Sequence, residues 1–137
     1  MSPLNLNESL NSNKFMTYDI FISYKRKSLA TANNLYYRTT TRGYHTFFDL
    51  DEMKKDNFDV LLLHYIENVK DIFVVLEEGS LDACKTEEWN KDWFCKEVAH
   101  AIKTKRNIIP ILLGGCHICE MLDVLTIESQ QLRSNGD

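Results

Sequence analysis

No stretch of this 137-residue chain is apolar for long enough to cross a bilayer. The longest runs, such as Ile108 to Leu113, fall far short of the roughly 20 residues a span requires. The N-terminal residues, rich in asparagine and serine, carry no apolar segment of the kind a secretory signal needs and read as a polar tail. Positive charge is not in excess either: 20 acidic against 16 basic residues leave a net charge of −4. Such a balance provides no overall field to attract nucleic acid or an anionic membrane, so neither is an expected partner. Internal repeats and low-complexity linkers are missing, and the length suits one domain with a core of its own. The expected division is a tail over 1–16, a domain over 17–127 and a second polar tail over 128–137.

Cysteine is scarce. The four residues Cys84, Cys95, Cys116 and Cys119 are too few and too irregularly placed for a disulfide framework, and free thiols in a reducing cytoplasm are the expectation. Cys116-His117-Ile118-Cys119 brings two thiolates and an imidazole within reach of one metal ion. A closed zinc site takes four ligands, however, and no second pair stands at matching spacing, so no metal and no resident cofactor are expected. Glycine signatures for phosphate are also absent: no G-x-G-x-x-G follows an apolar strand and there is no P-loop. That excludes a Rossmann dehydrogenase and a P-loop nucleotidase.

What is present is an alternation of short apolar runs with amphipathic stretches. Asp19 to Tyr24 is β-branched and aromatic and ends in Lys25-Arg26-Lys27, the pattern of a buried strand emptying into a polar loop. Ser28 is placed to cap a helix whose Leu29, Ala32, Leu35 and Tyr36 share one side, with Gly43 as its stop. Tyr44 to Phe48 is a second strand, followed by the acidic, lysine-bearing loop Asp49 to Asp56. Asn57 then caps a helix with the stripe Phe58, Leu61, Leu62, Tyr65, Ile66 and Val69. Ile72 to Leu76 is a third strand, a helix runs from about Lys91 to Lys103, and Asn107 to Leu113 is a fourth buried strand. This order predicts a doubly wound α/β fold of the flavodoxin-like kind, three layers around a parallel sheet of four to five strands. In such sheets ligands bind beyond the carboxyl ends of the strands. The rule selects Ser23 to Arg26, Asp49 onward, Glu77 to Ser80 and Gly114.

One helix draws notice for its second stripe. Phe94, Val98, Ala101 and Ile102 form the core-facing side, while Trp93, Glu97 and His100 line up about 100° away, at the edge of the buried face. Taken on spacing alone, a glutamate there is as well explained by solvation and a tryptophan by packing.

From about Tyr18 to Leu113 the chain resembles a TIR (Toll/interleukin-1 receptor) domain. Tyr18 to Tyr24 is similar to the family's first box, with Lys25-Arg26 following. Arg42 to Asp49 is similar to its second strand running into the BB loop. Gly79-Ser80-Leu81-Asp82 and Asn107-Ile108-Ile109-Pro110-Ile111 fall where the family places like sequences. Asp92 to Glu97 further resembles the Trp-x-x-x-Glu segment of TIR domains that cleave NAD, and the resemblance is set with those of bacterial type. The loop has no Arg-Asp-x-x-Pro-Gly, the form common in receptor members.

The resemblance implies an NAD nucleosidase, with NAD as substrate and Glu97 as the catalytic carboxylate. The products are nicotinamide and ADP-ribose or a cyclic isomer, and the setting is immune or cell-death signalling. Nicotinamide already carries positive charge in NAD and departs as a neutral base, so one carboxylate suffices where glycosidases ordinarily use two. Trp93 is then a wall or stacking surface, and Lys25 and Arg26 suit a diphosphate. By the same resemblance Asp49 closes the pocket or orients the substrate through a second contact, and Phe58 packs beneath the adenine or anchors the loop. Ser23, Tyr24 and Gly79 complete the substrate-binding positions. His100 and Cys95 are given no part in the chemistry. The same resemblance implies a homo-oligomer or filament through the loop Asp49–Asn57, and other TIR proteins as partners. The competing reading is a non-catalytic module that docks onto other TIR domains. A response-regulator-like receiver fits less well, because Asp19 starts the first strand and does not follow it. Beyond the fourth strand only Met121 to Ile127 offers a further helix or strand.

Overall fold

The computed structural model describes residues 17–48 and 58–114, apart from the side chains of 58–60. Its elements, in chain order, are β1 (Ile20–Ser23), α1 (Leu29–Thr41), β2 (Thr46–Phe48), α2 (Phe58–Asn68), β3 (Asp71–Leu76), α3 (Trp93–Lys103) and β4 (Asn107–Leu112). Short 3-10 turns occupy Arg26–Ser28, Ala83–Lys85 and Trp89–Lys91. The sheet is wholly parallel in the order β2-β1-β3-β4. The α/β fold expected from the alternation of runs is the one observed. No helix among the described residues is long and apolar enough to cross a membrane.

Pleating divides the side chains between two cores. Phe21 and Phe47 point to one face with Ile72, Val74 and Leu76, where Leu62 and Ile66 of α2 and Phe94, Val98 and Ala101 of α3 cover them. Ile20, Ile22, Tyr24 and Val75 point to the other face, against Ala32 of α1. The first connection, through α1, carries the chain from β1 to β2. The second carries it back across β1 to β3. The direction of winding therefore reverses at β1, which is where a doubly wound sheet opens a crevice at its carboxyl end.

Several local expectations are corrected. Ser28 stands at the start of α1 but makes no capping bond; its hydroxyl donates instead to Glu77 Oε1 at 2.9 Å, tying the helix start to the end of β3. Leu29, counted on the inner side of that helix, is exposed. The fourth strand is not buried: β4 is half-covered at best and Leu112 is exposed, and among the described residues it pairs on one side, with β3. Pro110 fits one-sided pairing, since a residue without an N–H is tolerated on an edge strand. Cys84 and Cys95 are not free thiols but a disulfide, buried with their Cα atoms 5.4 Å apart. Irregular spacing along the chain carried no information on this pair, because the Ala83–Lys85 turn folds back onto the first turn of α3. Asn57, Cys116, His117, Cys119 and the Met121 to Ile127 segment lie outside the described residues.

The C-terminus of α3 carries a mismatch between conformation and residue type. Lys105 adopts φ 57°, Lys105 N–H donates to Ile102 O at 3.1 Å and Arg106 N–H to Ala101 O at 2.9 Å. Those are the two bonds of a Schellman stop, whose left-handed residue is ordinarily glycine. A side chain there carries a steric cost. Lys105→Gly is expected to raise stability by about 0.5–1 kcal/mol, the αL penalty less the added freedom of the unfolded chain. Urea unfolding, with an unchanged m-value, measures it.

Candidate functional site

The carboxyl end of β1 runs into a cleft of about 440 Å³ lined by Tyr24, Lys25, Arg26, Lys27, Lys91, Asp92, Trp93 and Phe94. Two chain segments meet here: the loop after β1 and the start of α3. Alternation along β1 sends Tyr24 toward the α1 face, where it sits 6.0 Å from Phe48 between ring centroids. Ser23 takes the opposite direction, toward α3.

Asp92 organises the second segment. Its backbone is extended and its Oδ1 accepts the Cys95 N–H at 3.1 Å, an N-cap that starts α3. Its Oδ2 accepts from Lys25 Nζ at 2.7 Å, joining the two walls of the cleft. Burial pushes the Asp92 carboxyl up, but the Lys25 hydrogen bond, the Cys95 amide and the Lys25 charge together outweigh it and hold the group below its ordinary value. Once α3 is capped there, helix geometry sets the directions of its side chains. Trp93 stands half-buried on the cleft wall with Lys96 Nζ 4.8 Å from its ring centroid. One turn on, Glu97 points inward.

Glu97 is 1% exposed, a depth its spacing did not indicate. Ser23, itself 0% exposed, donates its hydroxyl to Glu97 Oε1 at 2.8 Å across the β1–α3 interface. Burying a carboxyl group is costly unless polar groups meet it, so this bond is part of what allows a glutamate among Phe94, Val98 and Ala101. His100, the third member of the stripe, bonds Glu67 Oε1 at 2.8 Å and ties α3 to α2, away from the cleft.

Of the site residues expected from sequence, Tyr24, Lys25, Arg26 and Trp93 line the cleft together. Ser23 and Glu97 do not line it; they form a buried bonded pair between β1 and α3. Gly79 does not join them: it sits at φ 85° in the turn after β3, beside Asp82 and the Lys27 ammonium. Asp49 lies outside the described residues. Phe58 opens α2 in sequence, and its side chain is also outside the description. Asp92, Lys27 and Lys91 were missed. For Asp92 a signal existed, an aspartate immediately before a helical apolar pattern; the two lysines are indistinguishable in sequence from solvated charge. Both have neighbours, Lys27 with Glu78 O and Lys91 with Glu88 Oε2, each at 2.7 Å. Asp19 stands at the other end of the sheet, accepting from the His45 N–H at 2.9 Å, so it takes no part in this cleft.

The arrangement suits an anionic, partly aromatic ligand. Cationic side chains stand on both walls for negative charge, an indole offers a flat surface, and a carboxylate is held at low local dielectric where its field is strong.

The family profile described as TIR domain matches residues 20–137. The NAD(+) hydrolase sarm1 of Drosophila melanogaster is 34% identical over 113 residues, which is 79% of this chain but 8% of that protein. The NAD(+) hydrolase tir-1 of Caenorhabditis elegans is 36% identical over 94 residues, 68% of this chain and 10% of that one. The chain thus spans only a small part of the length of these relatives. Among solved structures, the TIR domain of the Toll-related receptor TRR-2 from Hydra magnipapillata superimposes with a TM-score of 0.53 at 22% identity, covering 87% of this chain and 98% of that one. Both named relatives are animal proteins, so the bacterial affinity expected from sequence finds no support in them.

The double role of Asp92 is open to measurement. Asp92→Ala removes cap and ion pair together and is expected to cost about 1 kcal/mol, whereas Asp92→Asn keeps a capping oxygen and costs less. Because the folded carboxyl titrates below its unfolded value, its contribution is complete above the unfolded value and disappears as pH falls through the folded one. Thermal midpoints of wild type and Asp92→Asn should therefore converge in acid.

Proposed function

Since the chain belongs to the TIR domain family, we propose that it is an NAD nucleosidase acting in the cleft between the β1 loop and α3. The observation that carries the reading is the placement of Trp93 and Glu97 one turn apart on α3. The first is on a cation-lined wall, and the second is buried behind it, bonded to the serine that ends β1. The two animal relatives are named as NAD(+) hydrolases, which supports it.

The chemistry asks little of acid or base groups. The ribose–nicotinamide bond breaks with its electron pair passing to the pyridine nitrogen, so nicotinamide leaves neutral and needs no proton. The ribose is left with oxocarbenium character, and the Glu97 charge opposes it. Water completes the reaction by bonding to the anomeric carbon and releasing a proton, giving ADP-ribose; capture by an adenine nitrogen of the same molecule gives a cyclic isomer instead. Lys25 and Arg26 hold the diphosphate, which requires Lys25 to share or leave Asp92. Trp93 faces the ring system and limits water. Carboxylate stabilisation of this kind is worth about 100- to 1,000-fold in rate when the group is preorganised.

Glu97 is covered in this structure, so cleavage requires that cover to move. We assign that step to self-assembly through the loop Asp49–Asn57, a segment outside the described residues. The setting we propose is immune or cell-death signalling; the cytoplasmic location expected from free thiols loses that support with the Cys84–Cys95 disulfide. The second reading, a module that binds other TIR proteins without catalysis, takes its support from the same burial: a glutamate bonded inside the fold can be purely structural.

Incubation of the purified chain with NAD, followed by chromatography of nicotinamide, separates them. Turnover should rise more steeply than in proportion to protein concentration, and Glu97→Ala should lower it about 100-fold or more. No nicotinamide release at any concentration, with binding to other TIR domains intact in Glu97→Ala, would establish the module instead.

A further inference from the structure

Ser23 was expected to touch substrate. Its position argues for a different task. It is the last residue of β1, on the same face as Phe21, and that face is otherwise apolar where α3 covers it. An alanine or valine would fill such a site without polar demand; a serine there leaves a hydroxyl that must find a partner. Its partner is the Glu97 carboxylate, 74 residues away in sequence and 2.8 Å away in space, with both residues fully enclosed. A buried carboxylate–hydroxyl pair is a poor way to gain stability, since well-packed apolar residues of similar volume do as well or better. It is a good way to fix the direction of a charge. Tyr24 and Lys25, the next residues along the chain, already line the cleft.

We propose that Ser23 is a positioning residue: its hydroxyl, held at the end of β1, orients the Glu97 carboxylate toward the anomeric carbon of the bound substrate and does not itself contact that substrate. The proposal rests on the nucleosidase reading for its kinetic consequence, but the orientation of Glu97 is a property of the fold and can be read without turnover. A hydroxyl that donates to the carboxylate favours its charged form, so loss of the hydroxyl raises the pH at which Glu97 takes up a proton.

The test compares Ser23→Ala, Ser23→Thr and Ser23→Cys with wild type in the full chain. One readout is nicotinamide release from NAD over a range of pH, and the other is titration of the carbon-13 carboxyl resonance of Glu97, assigned by its loss in Glu97→Gln. Ser23→Ala is expected to lower kcat about tenfold to a hundredfold, the worth of a hydrogen bond to a charged group. KM for NAD stays put, and the acidic limb of the kcat profile moves to higher pH. Ser23→Thr, which keeps the hydroxyl, restores both, and Ser23→Cys falls between. If Ser23→Ala does not fold, the Thr and Cys variants carry the comparison. A raised KM at unchanged kcat would make Ser23 a substrate contact and overturn the proposal, as would a Glu97 titration that no variant moves. If wild type releases no nicotinamide, the nucleosidase reading fails by itself. The carboxyl resonance then decides for Ser23: displaced in Ser23→Ala and restored in Ser23→Thr it stands, and unmoved it falls.

Discussion

Everything in this fold hangs on the enclosure of β1. Ile20 to Ile22 pair with β2 on one side, all four of its residues pair with β3 on the other, and all are buried. A strand in that position has no freedom to slip, because a shift of one residue would send Phe21 and Ser23 to the α1 side and Ile20 and Ile22 to the α3 side. Its carboxyl end is consequently a fixed point. The loop that leaves it delivers Tyr24, Lys25 and Arg26 at a defined place, and Ser23 stays behind as the last inward residue. Because the winding reverses at this strand, the helices on its two sides diverge, and the space between the β1 loop and α3 is left for the cleft.

The second wall depends on the first through a single ion pair. Asp92 starts α3 by capping it and is held in place by Lys25 from the β1 loop. A half-buried pair of this kind contributes modestly to stability, but it sets where the helix begins, and a helix beginning elsewhere would rotate Trp93 and Glu97 out of line with the cleft. The disulfide between Cys84 and Cys95 acts on the same turn from the other side, fastening it to the connection after β3. The cations of the cleft are thus not spare charge. Lys25, Lys27 and Lys91 each hold an acceptor, and a phosphate entering among them replaces one set of partners by another.

Local pattern made the framework legible. Short β-branched runs, one strong amphipathic stripe and their alternation are enough for a parallel α/β sheet, and the strand-end rule points to the β1 loop with no motif at all. What could not be read is whatever depends on contacts between distant segments. Spacing put Glu97 at the edge of the buried face, and only the approach of β1 makes it interior. Lys25 reads as a surface cation until Asp92 is brought beside it. Continuous hydrophobicity describes a fully covered and a half-covered strand equally well, which is why β4 read as buried. The cysteine pair is the plainest instance: an 11-residue separation says nothing until the chain between is seen to double back. Gly79 illustrates the same limit from another side: the end of β3 is a strand end like the others, yet its turn lies against Lys27 and Ser28 and does not line the cleft.

A covered carboxylate is at once what the proposed reaction gains from and what restrains it. Low dielectric magnifies the field of Glu97 on a developing positive charge, and a hydroxyl already in place spares the reorganisation that water would require. The same enclosure keeps substrate out. A chain this size can escape the conflict only if the cover is made of something that moves while β1 and the α3 cap do not, since those two elements define the direction of the charge. The division of labour comes from packing: the Ser23–Glu97 bond lies between a central strand and a helix anchored at its first turn by Asp92 and Cys95, where motion is most costly. Control of access then falls to the segments outside that anchored interface. In the function we propose, a neighbouring copy biases them by contact without touching the carboxylate.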